Sequence, residues 1–122
     1  MARFMIVDDS IFQRKTLGKM IVQMGWEVVA EASNGREAVE RYPNSKPDLV
    51  LMDLVMPEME GIEAVEKILE LDKSAKIVVV SSVGYDEIVN KAMSLGAKQF
   101  ISKPVNLSHA ANVIKSVLEE GI

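Results

Sequence analysis

Four apolar runs in this chain each end in a reactive polar residue: Phe4-Met5-Ile6-Val7 in Asp8 and Asp9, Leu49-Val50-Leu51-Met52 in Asp53, Ile77-Val78-Val79-Val80 in Ser81, and Phe100-Ile101-Ser102 in Lys103. Read as parallel strands, they deliver three carboxylates, a hydroxyl and an ammonium to one rim, where open parallel sheets bind ligands. Three carboxylates that close together cannot all stay ionised without a counter-charge. A hard cation resolves the conflict, and Mg²⁺ suits a sparse site completed by waters and a phosphate oxygen. A carboxylate beside Mg²⁺ is a nucleophile toward phosphorus, with Lys103 balancing the charge on the incoming oxygens and Ser81 donating to one of them. Phosphoryl transfer asks mainly for positioning and charge neutralisation, and this set supplies both. Asp53 is the better nucleophile because it ends a central strand. Taken singly, the same residues have ordinary roles, Asp9 or Ser10 as a helix N-cap and Asp53 as a turn residue. Complementary charges at three strand ends favour the functional reading.

The elements that must position this set are legible. Apolar runs near residues 4, 28, 49, 77 and 100 are each followed by helical spacing, a βα unit repeated five times. Such alternation predicts one α/β domain with a parallel sheet covered on both faces. The continuous runs at residues 5–7, 50–52 and 77–80 suit strands buried on both sides. Glu27 to Ser33 alternates, as an edge strand does. The stripe Leu17, Met20, Ile21 and Met24 marks a helix between Ser10 and Met24 that Gly25 stops. Asn34-Gly35 leads into a helix from Arg36 to Tyr42, closed by Pro43. Ile62, Val65, Ile68 and Leu69 mark the third helix, Ile88, Ala92 and Leu95 the fourth, ending at Gly96, and Ala110, Ile114, Val117 and Leu118 the fifth. Val55 to Gly61 is the longest loop at the proposed rim.

Composition narrows the partners. The 122 residues suffice for one domain that buries roughly two-thirds of its unfolded surface. A net charge of −4, with the 14 Lys and Arg residues dispersed, gives no reason to expect nucleic-acid binding. Without cysteine there are no disulfides or thiolate metal sites, which fits a reducing compartment. The short apolar start is not a signal peptide, and no run approaches the ~20 apolar residues of a membrane span. A cytoplasmic protein with no membrane partner is expected. The lone His109 is read as a surface residue and most of the eight methionines as packing, with Met56 and Met59 open. Trp26 is expected to anchor the start of the edge strand and to serve as a fluorescence probe.

Four segments carry a resemblance: Val7-Asp8-Asp9-Ser10, then Asp53-Leu54-Val55-Met56-Pro57-Glu58-Met59-Glu60-Gly61, then Ser81-Ser82, then Lys103-Pro104. Each is weak alone, but in this order and spacing on five βα units the chain resembles a response-regulator receiver domain of the stand-alone, CheY-like chemotaxis type, from Phe4 to about Leu118. The resemblance implies a single receiver domain over residues 1–122, with a flavodoxin-like, doubly wound (βα)5 fold and strand order 2-1-3-4-5. It implies that Asp53 accepts phosphate from a histidine kinase of the CheA-like kind. Asp9, Asp53 and the Val55 backbone carbonyl would hold Mg²⁺, with Asp8 acting through a coordinated water. Ser81 takes the place of the switch hydroxyl and Phe100 that of the switch aromatic, which turns inward once the hydroxyl moves toward the phosphoryl group. The Lys103-Pro104 bond is cis in relatives. A reversal from 1:99 to 99:1 between the two states would need about 5.5 kcal/mol. The readout face would run from Asp86 to Glu119.

Some positions depart from the family. Val55 and Val83 are apolar where some rapidly dephosphorylating relatives carry polar groups, so a long-lived acyl phosphate is expected. Phe100 replaces the commoner Tyr, and Val105 replaces a frequent Phe. Because the chain ends soon after the fifth helix, output is expected through a protein partner, a motor switch protein or an adaptor, with the chain a monomer. Chemotaxis control of a flagellar or archaeal motor is the first reading and a phosphorelay intermediate the second. A flavin binder of the same fold is disfavoured because Asp8-Asp9 would repel its phosphate. A haloacid dehalogenase-type phosphatase is disfavoured because it needs Asp-x-Asp at the first strand. A receiver-like module that is never phosphorylated is disfavoured by the complete acidic, hydroxyl and ammonium set.

Overall fold

Strand and helix alternate strictly along the chain: β1 (Arg3–Val7), α1 (Ile11–Gln23), β2 (Glu27–Ala32), α2 (Gly35–Ser45), β3 (Leu49–Met52), α3 (Gly61–Leu71), β4 (Ile77–Ser81), α4 (Glu87–Leu95), β5 (Gln99–Ser102) and α5 (Leu107–Glu119). The computed structural model describes residues 1–56, 59–82 and 87–120. Pro57, Glu58, Val83 and Asp86, named above, lie outside the described residues. All strands are parallel, in the order β2-β1-β3-β4-β5. This is the flavodoxin-like arrangement the resemblance implied, with the chain reversing direction across the sheet between β1 and β3.

The period-two alternation of the strands divides the core between the two faces of the sheet. Phe4 and Ile6 face Leu17, Met20 and Ile21 of α1 and Ala110, Ile114 and Val117 of α5. Met5 and Val7 face Ala38 and Tyr42 of α2 and Ala64, Val65 and Ile68 of α3. A smaller cluster of Leu54, Val79, Val89, Ala92 and Ala97 seats α4, with Phe100 packed against it. Central β3 is wholly buried while edge β2 is mostly half-exposed, the contrast its alternating sequence predicted. Trp26 stacks on Phe4 with ring centroids 5.1 Å apart, at the start of β1 and β2. It anchors the edge strand as expected, but at the end of the sheet opposite Asp53.

Two expectations need correction. Pro43 does not close α2, which runs on to Ser45. Proline forfeits one backbone N–H bond, and others hold the last turn: Ser45 Oγ donates to the Arg41 carbonyl at 2.8 Å and the Arg3 guanidinium to the Ser45 carbonyl at 2.6 Å. Lys46, at φ 43°, then ends the helix. In α4 the buried face belongs to Val89 and Ala92, while Ile88 is 38% exposed. With Ile88 and Val89 adjacent, helical spacing fits either. Met56 is buried and Met59 packs against the second core cluster, so these two methionines also serve packing.

Candidate phosphoryl-transfer site

Strand register builds the site. Val7 is level with Met52, so Asp8 and Asp53 leave neighbouring strands side by side. Their backbones are held there: Asp8 N–H donates to Ala32 O and Asp53 N–H to Val7 O, each at 3.0 Å. The next residue, Asp9, is exposed, yet carboxylate oxygens of Asp8, Asp9 and Asp53 all lie within 4.8 Å of one another. Ser10 caps α1 by accepting from Gln13 N–H, and its own N–H donates to Asp8 Oδ1 at 2.9 Å. The N-cap role and the acidic cluster therefore coexist.

On the other side, Ser81 pairs with Ser102 and accepts the Lys103 N–H at 3.0 Å. Lys103, joined to Pro104 by a cis bond, then reaches across the strand ends. Its Nζ lies 2.8 Å from Asp8 Oδ2 and 3.2 Å from Asp53 Oδ2. Ser81 is fully buried at the end of β4. Phe100 is partly buried beside α4, one strand position from the Ile101 core. Val55 presents an exposed side chain, and its N–H donates to Asp53 Oδ1 at 3.2 Å.

Asp53 is thus a buried carboxylate whose two oxygens are each held by one donor. Burial pushes its pKa up; the Val55 N–H and the Lys103 charge pull the other way, and Asp8 adds to the rise. For Lys103, burial works downward, but the Asp8 hydrogen bond and the charges of Asp53 and Asp8 outweigh it and the net shift is upward. Three carboxylates against one ammonium leave the pocket with excess negative charge. The donor set, oxygen only and partly open through Asp9, fits a hard divalent cation.

Sequence reasoning missed three supports. Gly61, at the start of α3, lies so close to the strand end that a Cβ there would sit 2.0 Å from the Asp53 carbonyl oxygen. Gly35 donates to the Met59 carbonyl at 2.9 Å, tying the loop after Asp53 to the start of α2. Arg14 Nη1 donates to the Asp8 carbonyl at 2.6 Å. Gly61 stood in a quoted motif and Gly35 at the lead into the second helix, but only the fold reveals what they touch.

Comparison with known proteins gives the same reading. Residues 4–115 match the response regulator receiver domain family. The chain is 47% identical over 115 residues to the chemotaxis protein CheY of Thermotoga maritima, covering 94% of this chain and 96% of that one. It is 43% identical over 114 residues to CheY of Halobacterium salinarum, covering 93% and 94% respectively. A chain in the crystal structure of the CheX–CheY–BeF3–Mg²⁺ complex from Borrelia burgdorferi superposes with a TM-score of 0.94 at 34% identity, over 98% of this chain and 90% of that one. The chain belongs to the response regulator receiver domain family and is a chemotaxis response regulator, a signalling switch set by phosphotransfer.

Proposed function

We propose that Asp53 is the phosphoacceptor, taking the group from a phosphohistidine on a CheA-like kinase. One Asp53 oxygen forms the new P–O bond as the P–N bond to the imidazole breaks, and the leaving nitrogen takes up a proton. Burial raises its pKa in the metal-free site and leaves this carboxylate less solvated than an exposed aspartate. Lys103 Nζ, already on Asp53, balances charge on the arriving oxygens, and Ser81 donates to one of them. Asp9, Asp53 and the Val55 carbonyl would hold Mg²⁺, with Asp8 acting through water. When bound, the ion offsets the pocket's negative charge and that of the phosphoryl oxygens. In this reading the chain is a signalling switch that promotes only its own Mg²⁺-dependent phosphorylation and dephosphorylation.

The observation that carries this reading is the three-carboxylate cluster, two of whose members, Asp8 and Asp53, are held by Lys103. Drawing Ser81 toward the phosphoryl group would let Phe100 turn inward and change the face of α4, β5 and α5, where a motor switch protein or adaptor would bind. The 122 residues act as one receiver unit, a cytoplasmic monomer in this reading. Among the described residues, no helix is long and apolar enough to cross a membrane.

Intact mass after incubation with acetyl phosphate and Mg²⁺ tests the assignment. The wild-type chain is expected to gain one phosphoryl group and Asp53→Asn none. No gain on the wild type, or equal gain on the variant, would refute Asp53 as acceptor.

A further inference from the structure

The acidic rim carries a restraint that the phosphoryl chemistry does not use. Arg14, in the first turns of α1, donates from Nη1 to the Asp8 carbonyl at 2.6 Å and from Nε to Glu31 of β2 at 2.9 Å. Its side chain is only 15% exposed, against 52% for Glu31, so the guanidinium is packed into the corner between β1 and α1. Arg41 of α2 donates in turn to the Glu31 carbonyl.

The oxygen that Arg14 grips belongs to the peptide joining Asp8 to Asp9. The Asp8 carboxylate has its own restraints, the Ser10 N–H and Lys103. Asp9 is exposed, and its carboxylate has no hydrogen bond or ion pair among the described residues. What aims Asp9 at the cluster is therefore its backbone, and Arg14 fixes that backbone.

We infer that Arg14, braced by Glu31, is a positioning residue for the divalent-cation site: by pinning the Asp8–Asp9 peptide it holds the Asp9 carboxylate toward Asp8 and Asp53. This rests on the reading of Asp9 as a metal ligand. Charge alone predicts the opposite effect, since a guanidinium near the site repels a second cation and its removal would tighten binding. Positioning predicts loosening, because groups that orient metal ligands are worth roughly 10- to 100-fold in affinity.

Calorimetric titration of the full chain with Mg²⁺ separates the two. Arg14→Ala is expected to weaken Mg²⁺ binding roughly 10-fold. Arg14→Lys, which can reach the Asp8 carbonyl but lacks the planar fork that also engages Glu31, should recover part of the loss. In an Asp9→Asn background, Arg14→Ala should cost nothing further, as two residues acting through one ligand do not add. Unchanged or tighter binding in Arg14→Ala, or the same loss with and without Asp9, overturns the inference. Where Arg14→Ala does not fold, Glu31→Gln removes only the charge of the brace; a smaller loss that vanishes in the Asp9→Asn background is expected, and no loss overturns the inference. If wild type and Asp9→Asn bind Mg²⁺ alike, the metal-site reading fails first, and the inference with it.

Discussion

The two ends of the sheet use the same residue types to opposite effect. At the N-terminal ends of the strands, charges and polar groups meet matched partners. Asp72 accepts from Tyr42 Oη at 2.9 Å and from Ser74 Oγ at 2.7 Å, and Asp48 accepts the Arg3 N–H at 2.7 Å. Lys76 Nζ donates to the Glu120 carbonyl at 2.7 Å, closing the end of α5. At the C-terminal ends, the carboxylates of Asp8, Asp9 and Asp53 cluster together, and of the three Lys103 pairs with Asp8 and Asp53 alone. Two aspartates shift in opposite directions at the two ends. Ser74 and Tyr42 hold Asp72 below the usual carboxylate range, whereas burial pushes Asp53 above it. One rim is finished by folding; the other is left with an excess of negative charge that a divalent cation can offset.

The largest expected effect is at the unbalanced rim. Gly61→Ala would drive a Cβ into the Asp53 backbone, and backbone cannot rotate aside as a side-chain tip can. Urea unfolding should show a loss of about 3 kcal/mol, the upper range for overpacking. A loss near zero would mean that the start of α3 does not clamp the Asp53 strand end.

The matched rim should give a smaller, pH-dependent response. Tyr42→Phe removes one hydrogen bond to a carboxylate and should cost about 1 kcal/mol at neutral pH. Asp72 has a folded pKa below its usual 3.8, so its stabilisation is present above that value and is lost as pH falls through the folded pKa. The Tyr42→Phe deficit should therefore shrink in acid. A deficit constant down to pH values below the folded pKa would assign it to packing in the second core cluster rather than to the Asp72 bond.

The smallest effect expected is kinetic. The Val55 side chain is exposed at the pocket and offers no polar atom to orient water. The phosphorylated chain should hold its phosphate longer than seconds when freed of phosphodonor, measured by the decay of its intact mass. Decay within a few seconds would contradict that role for Val55.

Much of this was legible in the residues. Continuous apolar runs ending in Asp8, Asp53, Ser81 and Lys103 revealed both the buried strands and the rim, because in a parallel sheet strand ends are also site positions. Helix boundaries and faces were harder where local rules compete. Pro43 is a helix breaker, but the Ser45 and Arg3 bonds at the last turn of α2 outweigh its missing donor. Ile88 and Val89 satisfy the same spacing, and only the sheet beneath α4 chooses between them. Arg14 and Gly61 act through backbone atoms of Asp8 and Asp53, contacts that leave no side-chain pattern. The Trp26 position followed from the sequence, yet its place at the matched rim makes it a reporter of that end rather than of the pocket.

The contrast between the rims is tested most directly by the thermal midpoints of the wild-type chain and Asp53→Asn, each with and without Mg²⁺. A folded pKa above the unfolded one means that ionising Asp53 costs stability once pH rises through the folded value. Without metal, Asp53→Asn should therefore melt higher than wild type. Mg²⁺ at a hundred times its dissociation constant should stabilise wild type by about 2.7 kcal/mol and Asp53→Asn far less, closing the gap. A lower midpoint for Asp53→Asn without metal, or an equal gain from Mg²⁺ in both chains, would contradict the account.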